Sequence, residues 1–179
     1  AMMPDTLKKN GEDKNKTHYR TNNDYTLYEI DKYAKEKNLK NEKKDLELGY
    51  LSHLIEDKIL AKYINTKIKE IKIDGCEYIT YLFDNNSLHK KSEFITMIHN
   101  EYAIIDDYIL KKYNINLDYI SKRILRANKD EKLEKIIQNE LQQHEINEGI
   151  NLKILPIDYI QKYIMECVNE YDRYLIEEL

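Results

Sequence analysis

At 179 residues with 41% hydrophobic content and a formal net charge of −4, the chain is long enough for one core, and its interleaved Lys and Glu disfavour a nonspecific binder of nucleic-acid phosphates. Four Gly and two Pro leave little for hairpin turns, so the composition points to an all-α, single-domain bundle of six or seven helices over residues 1–179, with at most one short hairpin. The sixteen Tyr, beside many Lys, Asn and Ile and no Trp, read as the coding bias of an AT-rich genome rather than as a stacking platform.

Residues 1–24 form a polar, loop-like segment in which Lys8 to Lys16 shows no apolar period. Its opening, Ala1-Met2-Met3-Pro4-Asp5, looks like an added alanine before a start, and residues upstream are expected to be missing. A helix is predicted over 25–37, capped by Asn22, Asn23 or Asp24, with Tyr25, Tyr28 and Tyr33 as contacts. The longest helical pattern runs from 42 to 69. Its stripe of Leu46, Tyr50, His53, Asp57, Leu60 and Ile64 carries two polar groups at core positions, and a second line passes through Leu51, Leu54, Ile55 and Leu60. Gly49 reads as a residue that permits close helix packing.

Around Asp74-Gly75, residues 71–83 suit either a short hairpin or an irregular loop. A helix capped by Ser87 or Ser92 reaches about Lys112, with Ile95, Ile98, Tyr102, Ile105 and Ile109 as its core line. Two more are expected near 117–127 and 130–147, the latter stopped by Gly149. Pro156 then opens a C-terminal helix that buries Ile160, Tyr163, Ile164, Cys167, Tyr171 and Leu175. Cys76 and Cys167 lack a CxxC spacing and do not identify a compartment. No apolar run of about 18 residues suggests a membrane span and no signal pattern opens the chain, so a cytoplasmic location is expected.

His53 and Asp57 lie one helical turn apart, so both heads can converge on one ion. A carboxylate at a core position costs several kcal/mol unless it is paired or metal-bound. Two readings stay open: a hydrogen-bonded His-Asp pair in a non-catalytic helical interaction or structural protein, or a metal site. His99, with Glu101 and Asp106 on the same helix, could extend such a site, although a lone His is more often a packing residue. His144-Glu145 mimics part of a zincin without its second His and reads as helix surface, while His89 reads as a solvated loop residue. No Gly-rich phosphate loop, nucleophile elbow or Cys-His pairing is visible. A weaker third reading makes the Lys-rich loop 8–16 a nucleic-acid contact.

Met3-Pro4-Asp5, then Thr17-His18-Tyr19, then Leu48-Gly-Tyr-Leu-Ser-His53-Leu-Ile-Glu-Asp57 resembles the zinc-dependent phospholipase C family, related to the S1/P1 nucleases, and in particular its small bacterial members. The resemblance covers about the first 60 residues. It implies an all-α fold and zinc held by Asp5, His18, His53 and Asp57; His99, Glu101 and Asp106 remain weaker candidates from their helix position alone. It also implies hydrolysis of a phosphoester, either a small molecule or a lipid. The family's N-terminal amine with a neighbouring His, and its His-xxx-His-xxx-Glu series, have no counterpart here. Either an upstream segment supplied those ligands, or the site has shrunk to one metal or none.

Overall fold

The computed structural model describes residues 4–5, 11–21, 28–39, 44–82, 84–116, 118–119, 122, 135 and 152–176. These residues form five helices and a three-stranded antiparallel sheet, so the architecture is mixed α/β and the expected all-α bundle of six or seven helices is overturned. In chain order the elements are α1 (Lys14–Thr17), α2 (Ile30–Glu36), α3 (Asp45–Asn65), β1 (Ile68–Ile73), β2 (Cys76–Tyr81), β3 (Asp84–Lys90), α4 (Lys91–Lys112) and α5 (Ile157–Ile176). The helices expected near 117–127 and 130–147, and His144 and Glu145 with them, lie essentially outside the described residues.

The sheet exists because a hairpin needs very little glycine. Asp74 and Gly75 both take positive φ, +49° and +81°, which is the conformation a two-residue turn matched to the strand twist requires. The register pairs Ile73 with Cys76 and Ile68 with Tyr81. Ile68, Ile79 and Tyr81 bury the inward face. β3 reads Asp-Asn-Asn-Ser-Leu-His-Lys and has no hydrophobic alternation, which hides it from a pattern search. It is an edge strand held by backbone pairing to β2, and Ser87 accepts the Tyr81 N–H at 2.9 Å. His89, expected in a solvated loop, is part of this strand and sets its ring 5.3 Å from that of Tyr81.

α4 begins one residue after Lys90, whose N–H is capped by Glu93 rather than by Ser87 or Ser92. Its buried line is Phe94, Ile98, Glu101 and Ile105, while Ile95, predicted to face the core, is exposed. α5 opens directly after Pro156 and runs antiparallel to α3, with Tyr63 stacked on Tyr159 and Tyr163 donating to the Glu56 carbonyl. One apolar cluster joins the sheet, α4 and the segment Ile154-Leu155 to the start of α5; a second joins α2, α3 and Tyr174 of α5.

In α3 the buried side chains are Leu51, Leu54 and Ile55, the second of the two apolar lines. The stripe through His53 and Asp57 is partly buried, with Tyr50 packed against one cluster and Leu60 and Ile64 against the other. Leu46 on it is 60% exposed, and the two polar groups lie at the edge between the clusters. A Cβ added at Gly49 would meet nothing within 4 Å, so this glycine does not mark a close helix approach.

Candidate metal centre

α1 is a single turn, capped by the Asp13 side chain accepting from the Lys16 N–H at 2.9 Å. The turn ends in Thr17 and His18, both fully buried, and Tyr19 follows at φ +50°. That left-handed residue turns the chain sharply, at a cost of about 1–2 kcal/mol for a side chain of this type. It sends His18 towards α3 and lays Tyr19 against α2. Tyr19 packs edge-on to Tyr33 and Tyr50, and its hydroxyl donates to Glu36 at 2.8 Å. Tyr50 lies one turn before His53 on α3 and donates its hydroxyl to the Thr17 carbonyl. The tyrosines dismissed as coding bias thus dock the N-terminal turn against the helix that carries His53.

Four side chains converge there. His18 Nε2 is 3.2 Å from Asp5 Oδ1 and 3.7 Å from Asp57 Oδ2. His53 Nε2 is 3.6 Å from Asp5 Oδ2 and 3.8 Å from the same Asp57 oxygen. Asp5, His18 and His53 offer ligand atoms all within 4.8 Å of one another, which among the described residues is the one such group. Asp57 approaches both imidazoles without joining that group of three.

His18 Nδ1 lies 3.1 Å from the Lys14 carbonyl and 2.9 Å from Thr17 Oγ1. A carbonyl only accepts, so Nδ1 carries the hydrogen, and in the neutral ring the Nε2 lone pair faces the carboxylates. Neither Nε2 has a hydrogen-bond partner, although both atoms are buried. The His18 lone pair and the two carboxylates directed at one point repel each other unless a cation or protons sit between them. A tetrahedral ion with bonds of about 2.0–2.2 Å separates its donors by roughly 3.3–3.6 Å, a spacing that small side-chain movements would give Asp5, His18 and His53, with Asp57 beside both imidazoles but outside that group of three. Imidazole and carboxylate donors together suit zinc, and the donor set fits such an ion.

Without a metal, burial pushes the Asp5 carboxyl up, but the close contact with His18 and the charges that His53 and His18 carry when protonated, together with Lys14, outweigh it and hold the group well below the usual carboxylate range. Sequence reasoning missed Arg20, whose side chain is 7% exposed and whose Nη2 lies 3.5 Å from Asp57 Oδ2. It is a cation beside the partly buried Asp57 carboxylate, the partner that the core-side position required. Tyr28 accepts from Arg20 at 2.7 and 3.1 Å and lies 3.4 Å from Asp57. Burial, followed by the Asp57 charge, raises the hydroxyls of Tyr28 and of Tyr102 on α4 well above their ordinary value. The His18-Tyr19-Arg20 run was the available signal, but nothing in it announces that Arg20 turns inward.

The weaker candidates do not extend the group. His99 is exposed and stacks on Tyr102, and Asp106 is exposed on the same helix. Glu101 is buried but committed elsewhere. Its two oxygens accept the N–H groups of Lys153, Ile154 and Leu155 at 2.8–3.2 Å. The cysteines are free, Cys76 exposed and Cys167 half-buried. No helix among the described residues is long and apolar enough to cross a membrane.

Fold and site together define a mixed α/β protein with a His₂Asp₂ cluster between its N-terminal turn and a long central helix. No family model, curated protein or solved structure matches the chain.

Proposed function

We propose that the cluster binds one divalent cation, zinc by its donor chemistry, and that the protein is a metal-dependent phosphoester hydrolase of the type its N-terminal motifs resemble. The observation that carries this reading is the convergence of Asp5, His18, His53 and Asp57 around two buried Nε2 atoms that have no hydrogen-bond partner. Asp5 and Asp57 come from positions 52 residues apart in the sequence, and the motifs placed both in one ligand set. When bound, zinc supplies a water of lowered pKa and polarises a phosphoryl oxygen.

The chain's own groups do the rest. The Lys14 carbonyl holds the His18 ring with Nε2 inward, and Arg20 compensates Asp57. With both imidazoles neutral, two carboxylates and one guanidinium leave the metal-loaded site one positive charge in excess, which suits an anionic phosphoester. Asp5 is half-exposed, so the cluster has an open side. A soluble phosphoester is the substrate class we favour.

The test is elemental analysis of protein purified without chelator, beside His53→Ala, followed by hydrolysis of p-nitrophenyl phosphate and bis(p-nitrophenyl) phosphate. Stoichiometric zinc that His53→Ala loses, with hydrolysis abolished by chelator and restored by zinc, is the expected result. Protein that holds no zinc even after equilibration with it would leave a buried His-Asp network in a non-catalytic scaffold.

A further inference from the structure

Arg20 and Tyr28 form a unit before either reaches Asp57. Their backbones pair in an isolated antiparallel bridge, the Glu29 N–H donates to the Tyr19 carbonyl at 2.8 Å, and the Arg20 N–H donates to the Asn15 carbonyl at 2.8 Å. The guanidinium carbon lies 5.1 Å from the Tyr28 ring centroid, and Nε and Nη2 both donate to its hydroxyl oxygen, at 3.1 and 2.7 Å.

A phenol oxygen has one hydrogen to give. With two guanidinium N–H groups pointing at the oxygen, that hydrogen must turn away from them, towards the acceptor on the other side. That acceptor is Asp57 Oδ2, 3.4 Å away. It is the same oxygen that lies 3.7 and 3.8 Å from the Nε2 atoms of His18 and His53. From these contacts we infer that Tyr28, with its hydroxyl oriented by Arg20, is a positioning residue that fixes the rotation of the Asp57 carboxylate and aims Oδ2 at the bound cation.

This inference rests on the metal reading above. The bland account is that Arg20 merely neutralises a partly buried carboxylate and Tyr28 fills space. The two accounts part at Tyr28→Phe, which keeps the ring and the Arg20 charge beside Asp57 and removes the hydroxyl, both as the donor to Asp57 and as the acceptor from Arg20. Arg20→Lys is the second variant, retaining the charge while losing the two-pronged grip on the phenol oxygen.

Zn²⁺ affinity is measured by competition with a chromophoric chelator, and the visible spectrum of the Co²⁺-loaded protein reports the coordination of the ion. Outer-sphere partners of metal ligands are typically worth about 10- to 100-fold in affinity. We expect Tyr28→Phe to weaken Zn²⁺ binding about tenfold and to alter the Co²⁺ spectrum, with Arg20→Lys shifting both in the same direction. Wild-type affinity and spectrum in Tyr28→Phe overturn the proposal, even if the metal-free variant melts earlier, since that assigns the hydroxyl to packing alone. If Tyr28→Phe does not fold, Arg20→Lys decides on the same two readouts. A wild-type protein that binds neither ion removes the metal reading itself and this inference with it, a result distinct from unchanged binding in the variants.

Discussion

Glu101→Gln offers the most direct test of how the second half of the structure is held. The carboxylate is 2% exposed and receives the N–H groups of three consecutive residues: Oε1 takes Lys153 at 2.8 Å and Ile154 at 3.2 Å, and Oε2 takes Ile154 at 3.1 Å and Leu155 at 2.8 Å. Hydrogen bonds to a charged group contribute about 1.5–3 kcal/mol each. Glutamine keeps the shape but turns one oxygen into an amide that can only donate, so whichever way it lies it faces Lys153 or Leu155 donor to donor. One strong bond is lost, the remaining ones drop to neutral strength, and a buried N–H is left unsatisfied. The expected destabilisation is about 3–4 kcal/mol, a large part of the roughly 5–15 kcal/mol total of a typical domain. Urea unfolding of wild type and Glu101→Gln, each with and without zinc, measures it. A change below about 1 kcal/mol would refute the claim that this carboxylate clasps 153–155 to α4. Zinc content is expected to be equal in the two proteins, and a loss of zinc in the variant would return Glu101 to the ligand set.

Three further outcomes follow from single residues. Gly49→Ala places a methyl in open space within α3 and should stabilise by about 0.5–1 kcal/mol in the same urea assay, whereas destabilisation would mean that the glycine serves a close contact after all. Burial pushes the Cys167 thiol up to about 12, against a partial offset from Tyr163, so iodoacetamide in mildly alkaline buffer should modify exposed Cys76 and largely spare Cys167; mass spectrometry showing equal rates would contradict this. Burial first, then the charges of Glu12 and Glu47, raises the Tyr50 hydroxyl to about 12, and burial followed by Glu166, Tyr63 and Cys167 does the same at Tyr159. A folded value above the ordinary 10.0 favours the neutral phenol, so this contribution is complete below pH 10 and is lost as pH rises from 10 towards 12. Denaturant midpoints should fall across that interval, and native tyrosinate absorbance already fully developed at its lower end would be the contrary result.

What could be read in the linear chain was whatever depends on local spacing. α3, α4 and the C-terminal helix after Pro156 repeat their apolar residues at helical intervals, and such periods survive in any tertiary setting. The His53–Asp57 pair belongs to this class, because a separation of four puts two side chains on one face of a helix wherever that helix packs. Asp5 and His18 were a different matter. Nothing local ties them to α3, and they were reached through resemblance rather than through spacing.

Tertiary structure decided the rest. β3 has no alternation of its own and is a strand because β2 presents it with unpaired backbone groups, which composition cannot register. Two apolar lines on α3 implied a helix packed on two sides, but only the fold decided that Leu51, Leu54 and Ile55 are fully covered while the other line packs through Tyr50, Leu60 and Ile64 and leaves His53 and Asp57 between the two clusters. Arg20 and Glu101 look like ordinary surface charges in the sequence. One turns inward because a left-handed Tyr19 reverses the chain beside Asp57, and the other because three backbone amides more than fifty residues away need an acceptor. Burial of a charge depends on its partners, and partners distant in the chain are assembled only by the fold.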